Sequence, residues 1–318
     1  MGKRKATTLL ALVLLVLATS ACLQNKPGGE PVADTPSLPT FGDLVTFDGM
    51  QLIFGNSIIY SEIDNPYSDM DGQKVFLVPL ATKNIREATH GLSMFSFAQY
   101  GPSSEKLESV GAYFPSDITF AGDMRPGAMH DTYMAFQYCG DGVYSVEFGA
   151  ALSEIQKVAL PIKWDDKSAS PLAANPKKIQ GSYKPNPSQG AAVPGEAFEF
   201  DGFEITFLSD IQWSVIDNPY SGWHNADIAL VPVIVTNNND TTRSIGLLDF
   251  WQYGSKGTRL DSIGSYFDNE IAFMDELEPN ESYKGIMAFA YDGDGAYFVE
   301  FKKPSSTSKA EIMLILDK

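Results

Sequence analysis

The sequence predicts an all-β protein built from two tandem antiparallel sandwiches, and three observations carry that prediction. The chain matches itself at a shift of 153 positions, from Phe47–Phe148 onto Phe200–Phe301 without a gap, with about 40 of the 102 pairs identical. A repeat of that length is a whole domain, because solenoid units run about 20–50 residues. Its apolar residues fall in short β-branched runs or alternate with period two. Tyr144-Ser145-Val146-Glu147-Phe148 puts Tyr, Val and Phe on one face and Ser and Glu on the other. Helical spacing is scarce: only Ser103–Gly111 and Ser153–Gln156 could hold a helical turn.

The elements follow in order. Gln51–Tyr60 and its copy open each module. Lys74–Asn84 and Asp227–Asn237 are long apolar runs ending in Asn. Leu92–Tyr100 and Ile245–Tyr253 come next, then Ile118–Phe120 and Ile271–Phe273. Tyr133–Tyr138 and Ile286–Tyr291 lead through Gly140-Asp141-Gly142 and Gly293-Asp294-Gly295 into Val143–Phe148 and Ala296–Phe301. Those Gly-Asp-Gly runs sit between strand patterns, so they predict hairpin turns in which Gly supplies positive φ. Lys157–Ile162 and Glu311–Leu316 close the modules. Pro79 and Pro232 interrupt strand patterns and cannot donate to a ladder, which predicts edge or bulged strands there. About seven strands in roughly 120 residues suit a sandwich of immunoglobulin type.

Domain organisation follows from composition. Residues 1–21 read as a targeting segment: Lys3, Arg4 and Lys5, an apolar run Leu9–Ala18, then Thr19-Ser20-Ala21 before Cys22. The apolar run is too short to span a bilayer. The pattern resembles a bacterial lipoprotein signal, which implies lipidation at Cys22 on the extracytoplasmic face of the cell membrane. Thr19 stands where Leu is usual, and plain secretion with cleavage after Ala21 is the alternative. Residues 22–40 are Pro- and Gly-rich and predict a tether. Modules occupy 41–163 and 197–318. Between them, 164–196 carries five prolines and reads as a stiff, unfolded linker. There are two cysteines; lipidation would consume Cys22 and leave Cys139 as a spectator thiol.

A further resemblance rests on the order of motifs. A hydrophobic strand ends in Asn84 or in Asn237-Asn238-Asn239. An aromatic strand follows, Phe97-Ala98-Gln99-Tyr100 or Phe250-Trp251-Gln252-Tyr253. Then come Met124-Arg125-Pro126-Gly127 or Leu277-Glu278-Pro279-Asn280, a few residues before Met134-Ala135-Phe136 or Met287-Ala288-Phe289. This order resembles the immunoglobulin-like domain of unknown function found in Gram-positive cell-surface lipoproteins, similar in fold to a secreted mycobacterial immunoprotective antigen. The resemblance covers both modules, departs at Asn280 where Gly is usual, and implies no catalytic residues.

Charge narrows the function classes. The chain carries net charge −17. Acids outnumber bases 15 to 7 in Phe41–Lys163 and 20 to 8 in Ala197–Lys318. Nucleic-acid binding needs a basic face, so it is excluded as an expectation. Membrane association would run through the lipid alone. The chemistry of catalysis is also missing from the pattern. His90, His130 and His224 align with Arg243, Tyr283 and Asp71, so no histidine position is shared. There is no zinc spacing and no phosphate-cradling Gly loop, and no cofactor is expected. The chain is therefore expected to be a non-enzymatic binding or adaptor module. Its expected partner is an envelope or extracellular protein, with an envelope polysaccharide as the alternative.

The sharpest repeated motif is Asp64-Asn65-Pro66-Tyr67, copied as Asp217-Asn218-Pro219-Tyr220. Asp and Asn bond nearby backbone and Pro fixes φ, so this is a turn. Two readings stand. Asp64 and Asp217 cap the loop while Tyr67 and Tyr220 pack over the sandwich, or the loop contacts a ligand. Module two also has Trp213, Trp223 and Trp251 where module one has Tyr60, Met70 and Ala98. Trp213 is expected in the core; Trp223 and Trp251 are expected outside, able to stack on sugars or anchor a protein. Asp292-Gly293-Asp294-Gly295 resembles the start of a calcium loop. A strand begins at once, however, where the twelve-residue loop would continue to a bidentate Glu. A hairpin turn is the reading, with Asp292 and Asp294 the only cation candidates.

Overall fold

The computed structural model describes residues 38–92, 96–114, 117–118, 122–149, 155–164, 179, 182–303 and 308–318. The targeting segment, Cys22 and most of the tether lie outside the described residues. Each repeat is an antiparallel β-sandwich of one five-stranded and one three-stranded sheet. In the first, β1 (Leu44–Phe47), β2 (Met50–Phe54), β3 (Ile59–Glu62), β4 (Lys74–Asn84) and β6 (Met129–Gln137) form the larger sheet. The smaller sheet is β5 (Phe97–Tyr100), β7 (Gly142–Phe148) and β8 (Gln156–Ile162). The second repeat copies this. β9 (Ala197–Phe200), β10 (Phe203–Phe207), β11 (Gln212–Val215), β12 (Asp227–Asn237) and β14 (Ser282–Ala290) face β13 (Phe250–Tyr253), β15 (Gly295–Lys302) and β16 (Lys309–Leu316).

The long strands β4 and β12 lie at the centre, not at an edge, which corrects the expectation drawn from Pro79 and Pro232. One flank of β4 pairs with β6; the other pairs with β2 over Leu80–Asn84 and with β3 over Lys74–Leu77. Pro79 falls in the gap where β2 has ended and β3 has not begun. Its carbonyl accepts from Gly55 N at 2.7 Å, so its missing N–H would have faced that same gap. Pro232 repeats the arrangement, accepting from Leu208 N at 2.8 Å. Proline is tolerated here because it falls between the two paired stretches of that flank and still accepts through its carbonyl.

The two sheets of each repeat share an aromatic core. Phe54, Phe76, Phe136, Tyr144 and Phe148 are fully buried in the first, and Phe200, Phe203, Phe207, Phe289, Tyr297 and Phe301 in the second. Each such side chain stabilises by roughly 1.5–3 kcal/mol. Buried polar residues shared by the repeats bond the same backbone groups in each. Asn84 Nδ2 donates to Ala88 O and Met124 O, and its Oδ1 accepts from Arg86 N at 2.9 Å. Asn237 does the same with Thr241 O, Leu277 O and Asn239 N. Gln99 and Gln252 donate to Ala135 O and Ala288 O.

Other expectations are corrected. Ile271–Phe273 is a 3-10 turn, not a strand. The first expected strand divides into β2 and β3, and β5 and β13 are shorter than expected. Strands β1 and β9 were not foreseen. Each enters its sheet through a two-residue hairpin, Asp48-Gly49 at φ 48° and 74° and Asp201-Gly202 at φ 50° and 78°. Positive φ at both positions marks the type I′ turn that suits the twist of paired strands.

Residues 36–318 form one compact unit. The segment read as an unfolded linker is mostly exposed where it is described, but three of its residues are anchored. Ile179 is buried with Ile53 and Ala81, Tyr183 packs against the first core, and Ala192 is buried in the second. Cys139 is half-buried and packs against the first core.

Candidate functional site

The repeated Asn-Pro-Tyr loops leave β3 and β11 with the same internal bonding. Asn65 Oδ1 accepts from Tyr67 N at 3.1 Å, and Asn218 Oδ1 from Tyr220 N at 3.0 Å. Pro66 and Pro219 preset φ at the first central position, and the turns close through Ser68 N to Asn65 O and Ser221 N to Asn218 O. The serine hydroxyls then accept from Met70 N and Trp223 N, each at 3.0 Å. They also meet the hydroxyls of Tyr113 and Tyr266. Gly72 and Asn225, both in the left-handed region, return each chain to Ile63 or Ile216.

The product is a stiff loop with a tyrosine standing in solvent. Tyr67 is 98% exposed and Tyr220 97%. This overturns the reading in which they pack over the sandwich. Asn65 and Asn218, not Asp64 and Asp217, bond the Tyr N–H of each turn; both aspartates are solvent-exposed. Ile-Asp-Asn-Pro-Tyr-Ser, Ile63–Ser68 and Ile216–Ser221, is also the longest identical run between the repeats. Most exposed positions have diverged, yet this exposed one has not.

The tryptophans divide differently from expectation. Trp213 packs on the second core, its ring edge-on to Tyr291 at 5.1 Å. Trp223 is half-buried against a cluster of Ile216, Ile228, Ile263, Ala288 and Ala290, so it supports the loop from beneath. Trp251 lies on the outer face of β13, half-buried, with Arg259 and Lys302 each 5.7 Å from its ring. The structure therefore brings no Trp223–Trp251 patch together.

Asp292 and Asp294 serve the hairpin. Asp292 Oδ1 accepts from Ser255 N at 2.8 Å, and Asp294 Oδ1 accepts from Lys318 N at 3.0 Å and from Tyr291 Oη. The Tyr291 and Lys318 bonds hold the Asp294 carboxyl below its ordinary range. Asp141 accepts from Tyr138 Oη and Trp164 N in the first repeat. Among the described residues no group of three or more His, Cys, Asp or Glu is placed to hold a metal.

Sequence reasoning missed the junction between the repeats. In the ladder of β7 and β8, Glu147 faces Lys157 and bonds it at 3.0 Å. At the equivalent step of β15 and β16, Glu300 faces Glu311. Like charges directly opposite destabilise a sheet. Arg125 of the first repeat supplies the missing cation: its Nη1 lies 2.8 Å from both carboxylates. Nη2 donates to Asn186 O at 3.0 Å, and the guanidinium lies 3.7 Å from the Phe298 ring centroid. Its side chain is 3% exposed. Burial opposes its charge, but Glu311 and Glu300 hold its pKa above the ordinary value. Burial likewise pushes Glu300 upward, against the pull of Arg125. Beside it, Arg125 N donates to Gly257 O and Arg259 N to Asp123 O, joining the repeats through backbone. The signal was present: Arg125 aligns with Glu278, a reversal of charge between copies.

No family model matches the chain, and no curated protein matches it. Among solved structures, the yjhA protein of Bacillus subtilis aligns over 39% of this chain and 98% of its own, at 13% identity and a TM-score of 0.29. An uncharacterized β-sandwich protein of Clostridium difficile aligns over 42% and 100%, at 13% identity and TM-score 0.27. A serine-rich repeat protein of Streptococcus agalactiae aligns over 85% and 94%, at 9% identity and TM-score 0.18.

Proposed function

We propose that the chain is a non-enzymatic binding or adaptor protein of the cell envelope, and that the two Asn-Pro-Tyr loops are its contact sites for a protein partner. One observation carries the reading: the longest run kept identical between the repeats is an exposed loop that holds a tyrosine almost wholly in solvent. A core position needs no such tyrosine, and a solvated turn needs only its Asn and Pro. Tyrosine gives large contact area at low entropic cost, and a stiff loop adds little ordering cost on binding.

The proposal includes the resemblance to immunoglobulin-like domains of surface lipoproteins, with Cys22 lipidated on the extracytoplasmic face. Among the described residues no helix is long and apolar enough to cross a membrane. The intact mass of membrane-extracted protein tests that part, through the mass a lipid adds at Cys22. The contact sites are tested with a photo-crosslinking residue at position 67, 220 or 44. The reading expects the same envelope protein at 67 and 220, and not at 44. Capture independent of position would contradict it.

A further inference from the structure

A cleft of about 890 Å³ opens at the junction, between Thr89 and Pro126 of the first repeat, the segment 186–191, and the end of the β15–β16 hairpin where its connection leaves β15. That is the size of a small-molecule site. Beyond the Glu300–Glu311 step, the ladder sets Lys302 directly opposite Lys309, and both line this cleft. A like-charge pair works against the sheet. The nearby carboxylates are already engaged. Glu311 accepts from Arg125, Ser188 N and Ser188 Oγ, while Glu300 accepts from Arg125 and Thr89. Lys303, by contrast, is paired with Asp201 at 2.6 Å. Neither Lys302 nor Lys309 forms an ion pair among the described residues. The first repeat has Gly149 and Ile155 at the corresponding positions, so the lysine pair belongs to the repeat that faces the cleft.

The rest of the wall is amide and hydroxyl: Thr89, Asn186, Ser188 and Gln189. Trp251 is not part of the wall but pairs with Glu300 across the ladder, and its ring lies 5.7 Å from the Lys302 ammonium. Two unneutralised ammonium groups, a polar wall and an adjoining indole are the chemistry that recognises a hydroxylated ring bearing an anion. We propose that this cleft binds an acidic saccharide, with its carboxylate or phosphate between Lys302 and Lys309 and its hydroxyls on the polar wall. Glu87, exposed in the first-repeat part of the lining, repels an anion and so favours the lysines as the anion's place. This site is separate from the tyrosine loops and stands whether or not they bind protein.

The test is a tryptophan-fluorescence titration of the full chain with three probes: a glucuronate-containing disaccharide, glucose 6-phosphate, and uncharged maltose. Saturable binding of an acidic probe, with maltose silent, is expected, and the tighter of the two identifies the acidic group. Lys302→Ala/Lys309→Ala should weaken that binding by about tenfold or more, as loss of charge-assisted bonds requires. Both lysines are exposed, so the variant's melting temperature serves as the control for folding. Failure of both acidic probes at millimolar concentration, equal binding of maltose, or undiminished binding by the lysine variant would each overturn the proposal.

Discussion

Arg125→Ala should be among the most damaging single substitutions in the chain. The guanidinium is buried, makes three hydrogen bonds, and stacks on Phe298. Removing it leaves Glu300 and Glu311 face to face at one ladder step, the second of them only 6% exposed. Breaking a buried ion pair by deleting one partner costs about 3–5 kcal/mol. Ser188 still donates twice to Glu311, so the lower half of that range is expected. Urea unfolding followed by tryptophan fluorescence measures the loss. The companion variant Arg125→Ala/Glu300→Gln/Glu311→Gln removes the repulsion and should recover more than half of it. A loss below about 1 kcal/mol, the level of an exposed pair, would refute the reasoning. So would a triple variant no better than the single one.

Other predictions follow from the same geometry. Asn84→Ala removes the side-chain partner of Arg86 N and of Ala88 O, while Met124 O keeps its bond from His90 N. It should cost about 1–3 kcal/mol for each group that water does not reach, measured by chemical unfolding; a cost under 0.5 kcal/mol, the usual scatter of surface changes, would contradict it. Gly257 has φ 73°, and a Cβ there would come within 2.6 Å of the Tyr183 ring. Gly127 has φ 76° and open space. Gly127→Ala should therefore cost only the left-handed penalty of roughly 1–2 kcal/mol, and Gly257→Ala distinctly more; equal losses would remove Tyr183 from the junction. Burial raises the Glu270 carboxyl above its ordinary pKa, against bonds from Ala272 N and Ala288 N. The folded state then binds that proton more tightly than the unfolded one, so Glu270 erodes stability as pH rises from the ordinary glutamate value through its raised value. Glu270→Gln should flatten the difference in urea midpoint across that window, and parallel pH profiles would contradict the assignment.

Much of the fold was legible because burial wrote it into the sequence. Strands β4 and β12 are covered on both faces, so they read as unbroken apolar runs, and their bounds agree with the pattern. Strands β1 and β9 are four residues long with alternate residues exposed. Four residues give too little period to detect, although Asp48-Gly49 and Asp201-Gly202 were there as hairpin signals. Ile271–Phe273 is an apolar triplet, a length at which strand and 3-10 turn look alike. The anchors of the linker were not legible: Ile179, Tyr183 and Ala192 are single contacts, and isolated contacts leave no periodicity. At the candidate site, the motif was visible but the direction of the tyrosine was not. Trp223 follows Tyr220 by three residues, and the serine-bonded turn carries it inward while Tyr220 stays out.

The most direct test of the account is the double variant Tyr67→Ala/Tyr220→Ala, compared with the parent chain in partner crosslinking and in thermal melting. Both side chains touch almost nothing but water, so the account predicts an unchanged melting temperature together with loss of the crosslinked partner. Full retention of the partner would contradict the assignment of these loops as the contact sites. A fall of several degrees in melting temperature would contradict their description as exposed.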